Sequence, residues 1–183
     1  MILLADERGQ AFNRRDMNKN IVLIGMPTSG KSTVGVIIAK ILGMDFIDTD
    51  IVIQQREGRI LSEIIAERGT DGFIECEKQA LLSVNASNTV IATGGSAVYG
   101  REAMEHLKED SVVVYLKVEK SELFGRLKNV KERGVVLKPG ETLDRMFDAR
   151  AKLYAEYADL TVEEDGTIED SVNAVLKALE SWK

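Results

Sequence analysis

Short unbroken apolar runs alternate along this chain with stretches whose apolar positions recur every three or four residues. Ile21-Val22-Leu23-Ile24 is the first run, the pattern of a strand buried on both faces. Val34, Ile37, Ile38, Ile41 and Leu42 follow at helical spacing. Asp45-Phe46-Ile47-Asp48 reads as a short strand with a polar end. Helical patterns then cover 51–57 and 60–68, broken by Gly58 and Gly69, and a further helix is expected over 73–85. Thr89–Thr93 and Ser111–Leu116 are buried-strand runs, with helices near 101–108 and 120–128. Residues 129–140 lack apolar periodicity, 141–157 look helical, and Leu160-Thr161-Val162 is a last short strand. The final helix opens at a capping box, Thr167-Ile168-Glu169-Asp170, with Ile168, Val172, Val175, Leu176 and Leu179 on one face. Five strands alternating with helices predict an α/β fold in three layers, α/β/α, on a parallel sheet of about five strands. Residues 19–183 are read as one domain and residues 1–18 as an N-terminal extension, in which Met17 could serve as an alternative start.

Composition narrows the partners. At 183 residues the chain can bury a real core, and its 44 % hydrophobic and 30 % charged content is that of an ordinary soluble domain. A net charge of -6 argues against nucleic acid or an anionic membrane as main partner. The single cysteine, Cys76, excludes an intrachain disulfide, and no apolar run is long enough to span a bilayer. The expected setting is cytoplasmic and the expected state a monomer. His106, on a charged helix, is expected at the surface.

The strongest chemical statement follows the first strand. Gly25-Met26-Pro27-Thr28-Ser29-Gly30-Lys31-Ser32-Thr33 fits G-x-x-x-x-G-K-[ST] between a strand and a helix, the order a phosphate-binding loop requires. Gly25 and Gly30 let the backbone turn its N–H groups toward phosphate, with Pro27 and Ser29 between them, and the helix N-terminus adds partial positive charge. Lys31 can reach the β- and γ-phosphates, and the Ser32 hydroxyl, beside Thr33, can ligate Mg²⁺ carried in with ATP. Asp48 and Asp50 stand two apart past the second strand. One can serve the metal while the other meets a substrate hydroxyl. An N-cap at Thr49 or Asp50 is the structural alternative. Gly94-Gly95, after a buried strand, permits close approach to a ligand. The polar segment 129–140 has the length of a lid, and its Arg133 could close on the transferring phosphate.

In combination, Gly25–Thr33, Phe46-Ile47-Asp48-Thr49-Asp50, Gly94-Gly95 and Arg150-Ala151-Lys152-Leu153-Tyr154 resemble the shikimate kinases, small-molecule kinases of the P-loop class. The resemblance covers residues 20 to about 180. It implies a P-loop kinase fold with a mobile lid at about 129–140 and acceptor-binding helices at about 49–85. It further implies Mg²⁺ assistance by Asp48, substrate contacts from Asp50, Phe73, Gly94, Gly95 and Arg150, a lid arginine at Arg133, and Arg126 against adenine. The implied reaction is phosphoryl transfer from ATP to shikimate, in aromatic amino-acid biosynthesis. Departures fall on the acceptor side. The family's second carboxylate-clamping arginine is Ile74 here, its third glycine is Ser96, and its lid arginine-proline-leucine-leucine reads Arg133-Gly134-Val135-Val136-Leu137. Arg59 or Arg68 could supply the missing charge from another direction. The alternative acceptor is another small hydroxylated metabolite. A nucleotide-hydrolysing switch is disfavoured, because its metal-binding Asp would end a second apolar strand, and here those strands end in Thr93 and Lys117.

Overall fold

The computed structural model describes residues 19–126, 136–137, 140–164 and 166–182. The N-terminal extension and most of the expected lid, Arg133 included, lie outside the described residues, as does the side chain of Arg126. Five strands, β1 (Asn20–Gly25), β2 (Asp45–Asp48), β3 (Thr89–Ala92), β4 (Ser111–Val118) and β5 (Leu160–Glu164), form one sheet in the order β2-β3-β1-β4-β5. All pairings are parallel. The connecting helices are α1 (Lys31–Leu42), α2 (Thr49–Glu57), α3 (Leu61–Leu82), α4 (Arg101–Glu109), α5 (Lys120–Arg126), α6 (Leu143–Tyr157) and α7 (Ile168–Ser181). This is the expected three-layer α/β/α architecture on a five-stranded sheet.

Alternation along β1 explains the layers. Ile21 and Leu23 face α1 and α7 with Val34, Ile38, Val172 and Leu176, while Val22 and Ile24 face the other side with Leu81, Met104, Met146 and Tyr154. Both sets are fully buried, which is why β1 reads as an unbroken apolar run. A smaller cluster joins Ile53 of α2 and Ile64, Phe73, Cys76 and Ala80 of α3 to Val136. The expected breaks at Gly58 and Gly69 are real. Gly58 ends α2 in the left-handed region, and Gly69 bends α3 at φ 68°, ψ −177°. The capping box at Thr167 forms as expected, Thr167 Oγ1 accepting from the Asp170 N–H and Asp170 Oδ2 accepting from the Thr167 N–H. His106 departs from its expected place. It is half-buried, its Nε2 within 2.9 Å of the Val84 carbonyl oxygen, because α4 packs against the end of α3.

Register sets the working edge of the sheet. Leu23 pairs with Ala92, and Ala92 pairs with Asp48, so β1, β2 and β3 deliver their following loops side by side. Ligands of open parallel sheets bind at that carboxyl edge. The helix behind the phosphate loop sits very close to the sheet at Gly35, where a Cβ would lie 2.9 Å from Phe46 Cε2 and 3.1 Å from Leu23 Cδ1. Gly35→Val should therefore destabilise the fold by about 1–3 kcal/mol through overpacking. Urea unfolding checks this, and an unchanged midpoint would show that α1 has room to spare.

Candidate active site

The three loops at the carboxyl edge enclose a cavity of about 450 Å³. One wall is the phosphate loop: Pro27, Thr28, Gly30, Lys31, Ser32 and Thr33. Across it stand Asp50, Phe73, Gly94, Gly95 and Arg150. Residues scattered from 27 to 150 in sequence are thus brought to one site.

Local geometry explains the loop. Gly30 sits at φ 84° and caps α1 without a side chain, and α1 has no acidic residue in its first turn. With no side-chain cap at Gly30, the N-terminal N–H groups of α1 present their partial positive charge to the cavity. Gly25 is at φ 149°, where a Cβ would lie 2.6 Å from the Leu116 carbonyl oxygen. Lys31 Nζ donates to the carbonyls of Gly25 and Met26 and to Ser29 Oγ. Gly25 and Ser29 therefore act beneath the cavity, holding Lys31, rather than as part of its wall. Burial lowers the Lys31 pKa to about 8, opposed by the nearby carboxylates of Asp50, Glu164, Asp48 and Glu77. An anion against Lys31 would favour its charged form.

Asp48 and Asp50 divide their work. Asp48 is itself the N-cap of α2, its Oδ1 accepting from the Asp50 N–H at 2.9 Å, and it does not line the cavity. The cap expected at Thr49 or Asp50 thus falls one residue earlier. Asp50 faces the cavity, and burial together with the neighbouring Asp48 charge raises its pKa to about 6, against the pull of Lys31. The loop after β3 is pressed between both walls. A Cβ on Gly95 would lie 2.7 Å from Pro27 Cδ, and one on Gly94 would lie 2.9 Å from Asp50 Oδ1 and collide with Glu77 Oε1. Glycine is required there by contact, since neither residue is in the left-handed region.

A family model described as shikimate kinase matches residues 27–180. The chain belongs to the shikimate kinase family. A shikimate kinase of Thermodesulfovibrio yellowstonii is 37 % identical over 166 residues, spanning 88 % of this chain and 95 % of the relative. One of Clostridium botulinum is 37 % identical over 169 residues, 90 % and 98 % of the two chains. Among solved structures, the shikimate kinase of Acinetobacter baumannii in complex with shikimate superposes with a TM-score of 0.80 at 29 % identity, covering 92 % of this chain and 98 % of that one. The Aquifex aeolicus shikimate kinase gives 0.76 at 32 % identity, over 88 % and 96 %.

Arg150 reaches the cavity, yet it is 1 % exposed and firmly held. Its Nη2 donates to the Val136 carbonyl at 2.6 Å, its Nε to Tyr99 Oη at 3.4 Å, and its guanidinium lies 5.3 Å from the Tyr99 ring centre. Val136, expected in the lid, is buried against this cluster. Arg59 and Arg68 do not supply a further charge. Arg59 pairs with Glu67, Arg68 donates to Cys76 Sγ and to Glu57, and neither lines the cavity. Ile74 adds half-buried apolar surface beside Phe73.

Two site residues received no role in the sequence reading. Tyr154, fully buried, donates to the Gly95 carbonyl at 2.5 Å and stacks on Tyr115, fixing the glycine turn from behind. Glu77 is 1 % exposed and lines the cavity, its Oε2 accepting from Ser96 Oγ at 2.5 Å. The one available signal was a glutamate four residues after Phe73 on a face that continues to Ala80 and Leu81. Burial raises the Glu77 pKa to about 7 from an ordinary 4.5, opposed mainly by the Ser96 hydrogen bond. A raised folded-state value stabilises fully below the unfolded value, and that contribution is lost as pH rises through the folded one. Stability tied to Glu77 should therefore fall between about pH 4.5 and 7, by on the order of 3 kcal/mol. Urea unfolding of Glu77→Gln should show a correspondingly flatter pH profile than the parent, and parallel profiles would contradict the assignment.

Proposed function

We propose that the chain transfers the γ-phosphoryl group of ATP to a hydroxyl of shikimate, acting as a cytoplasmic monomer. The observation that carries this reading is a single cavity that sets a phosphate loop against a buried carboxylate, Asp50, and a fixed cation, Arg150. The named relatives and the neighbouring structure in complex with shikimate support the choice of acceptor.

In this reading the N–H groups at the start of α1 and the Lys31 ammonium hold the β- and γ-phosphates. Lys31 exchanges its loop carbonyl acceptors for phosphate oxygens. Arg150 pairs with the acceptor carboxylate. The Gly94–Gly95 turn and Phe73 bound the acceptor, so that one hydroxyl lies between Asp50 and the γ-phosphorus. Asp50 takes that hydroxyl's proton as the oxygen bonds to phosphorus, and the bond to the bridging β–γ oxygen breaks to release ADP. A base with a pKa raised to about 6 is ionised at neutral pH yet retains affinity for the proton.

The donors present suit Mg²⁺. Ser32 offers a hydroxyl at the cavity wall and Asp48 a carboxylate close enough to act on Asp50 and Lys31. Among the described residues no group of three or more His, Cys, Asp or Glu could hold a metal alone, so phosphate oxygens must complete the set. When bound, Mg²⁺ would spread the negative charge of the phosphates. We place Arg133 over the phosphates and Arg126 against the adenine, on the family resemblance.

Asp50→Asn should lower kcat by about 10²-fold or more while ATP affinity changes little. The parent's kcat should decline as pH falls below about 6, where Asp50 gains its proton. Coupled ADP-release assays over pH 5–8 read both. A variant that keeps parental kcat would remove Asp50 from the reaction.

A further inference from the structure

Glu77 is a fully buried acid for which the phosphoryl-transfer steps have no use. Its Oε2 is fixed by Ser96, while Oε1 is buried without a hydrogen-bond partner and lies against Gly94 at the acceptor wall. The groups facing it are Asp50 from α2, Lys31 from α1 and Arg150 from α6. Among the described residues, no lysine or arginine is within ion-pair distance of it. Lys31 is directed to its own loop, and Arg150 to Val136 and Tyr99. On α3 itself, Phe73 and Ile74 offer only apolar surface.

A carboxyl group buried in such a place and facing the Asp50 carboxylate favours its protonated form, against the opposing pull of the Ser96 hydrogen bond, Arg150 and Lys31. Ser96 donates to Oε2, which leaves Oε1 to carry the proton. We propose that Ser96 and Glu77 form a second acceptor-binding pair: Ser96 fixes the side chain, and protonated Glu77 donates from Oε1 to an oxygen of the acceptor. The proposal rests on shikimate as that acceptor. Ionised Glu77 would repel an acceptor carboxylate, whereas the protonated acid offers it a short charge-assisted hydrogen bond. Arg150 thus supplies the positive charge and Glu77 a neutral donor. The pair also accounts for the burial of Ser96, 3 % exposed, at a position where glycine would leave Glu77 without a partner. A pKa of about 7 means that at alkaline pH the acceptor must bring a proton into the site with it.

Calorimetric titration of shikimate into the nucleotide-free protein, in buffers of differing ionisation enthalpy, measures that proton directly. At pH 8 the parent should take up close to one proton per shikimate bound, and its affinity should weaken by about tenfold or more between pH 7 and 9. Glu77→Gln, whose amide donates at every pH, should show little uptake and a flatter affinity profile. Asp50 remains in that variant, so the comparison isolates Glu77. Ser96→Ala should weaken shikimate binding several-fold and leave ATP affinity within about twofold. The assignment is overturned by a parent without proton uptake, by equal uptake in Glu77→Gln, or by unaltered shikimate affinity in Ser96→Ala. A parent that neither binds nor phosphorylates shikimate would instead overturn the acceptor itself, and the pair's role with it.

Discussion

The structure depends on the contact between two turns, Gly94–Gly95 and the phosphate loop. Gly95 lies so close to Pro27 that no side chain fits between them, and Gly94 is as close to Asp50 and Glu77. This contact joins the nucleotide half of the cavity to the acceptor half. It is fixed from three directions. Parallel register aligns the ends of β1, β2 and β3, the Gly94 N–H donates to Thr49 Oγ1 at 3.2 Å, and Tyr154 holds the Gly95 carbonyl. A displacement of either turn would separate the phosphate donor from the hydroxyl that must meet it, and positioning on this scale governs rate.

Electrostatics complete the design. The protein carries a net charge of -6, yet it handles a polyanion and a carboxylate. Positive charge is concentrated in Lys31, Arg150 and the uncapped start of α1, while burial raises the pKa of Asp50 to about 6 and that of Glu77 to about 7. Burial of these acids weakens the empty fold above neutral pH, a cost of the kind often found where a site is arranged for ligands. The raised pKa of Glu77 also makes the acceptor wall less repulsive to an anion.

What the sequence made legible was local. The phosphate loop, the glycine turn, Asp50 and the capping box of α7 each lie within a few residues and carry their own spacing rule. The strand order, the neighbours of Glu77 and the Tyr154–Gly95 bond join positions 19 to 70 residues apart, which no local period records. Asp48 shows the same limit within three residues. Its pattern fits both a metal ligand and a helix cap, and only the fold shows that it caps α2 while remaining close enough to influence Asp50. Likewise, the arginines at 59 and 68 lie near the acceptor helices in sequence but turn to Glu67, Glu57 and Cys76.

The central claim is that one cavity brings an ATP phosphoryl group to a hydroxyl of shikimate. Incubation with γ-labelled ATP, Mg²⁺ and shikimate, followed by separation of products, tests it most directly. The account predicts one labelled phosphoshikimate per ADP formed and loss of both in Lys31→Ala. ADP release without label on shikimate, or label transfer that survives Lys31→Ala, would contradict it.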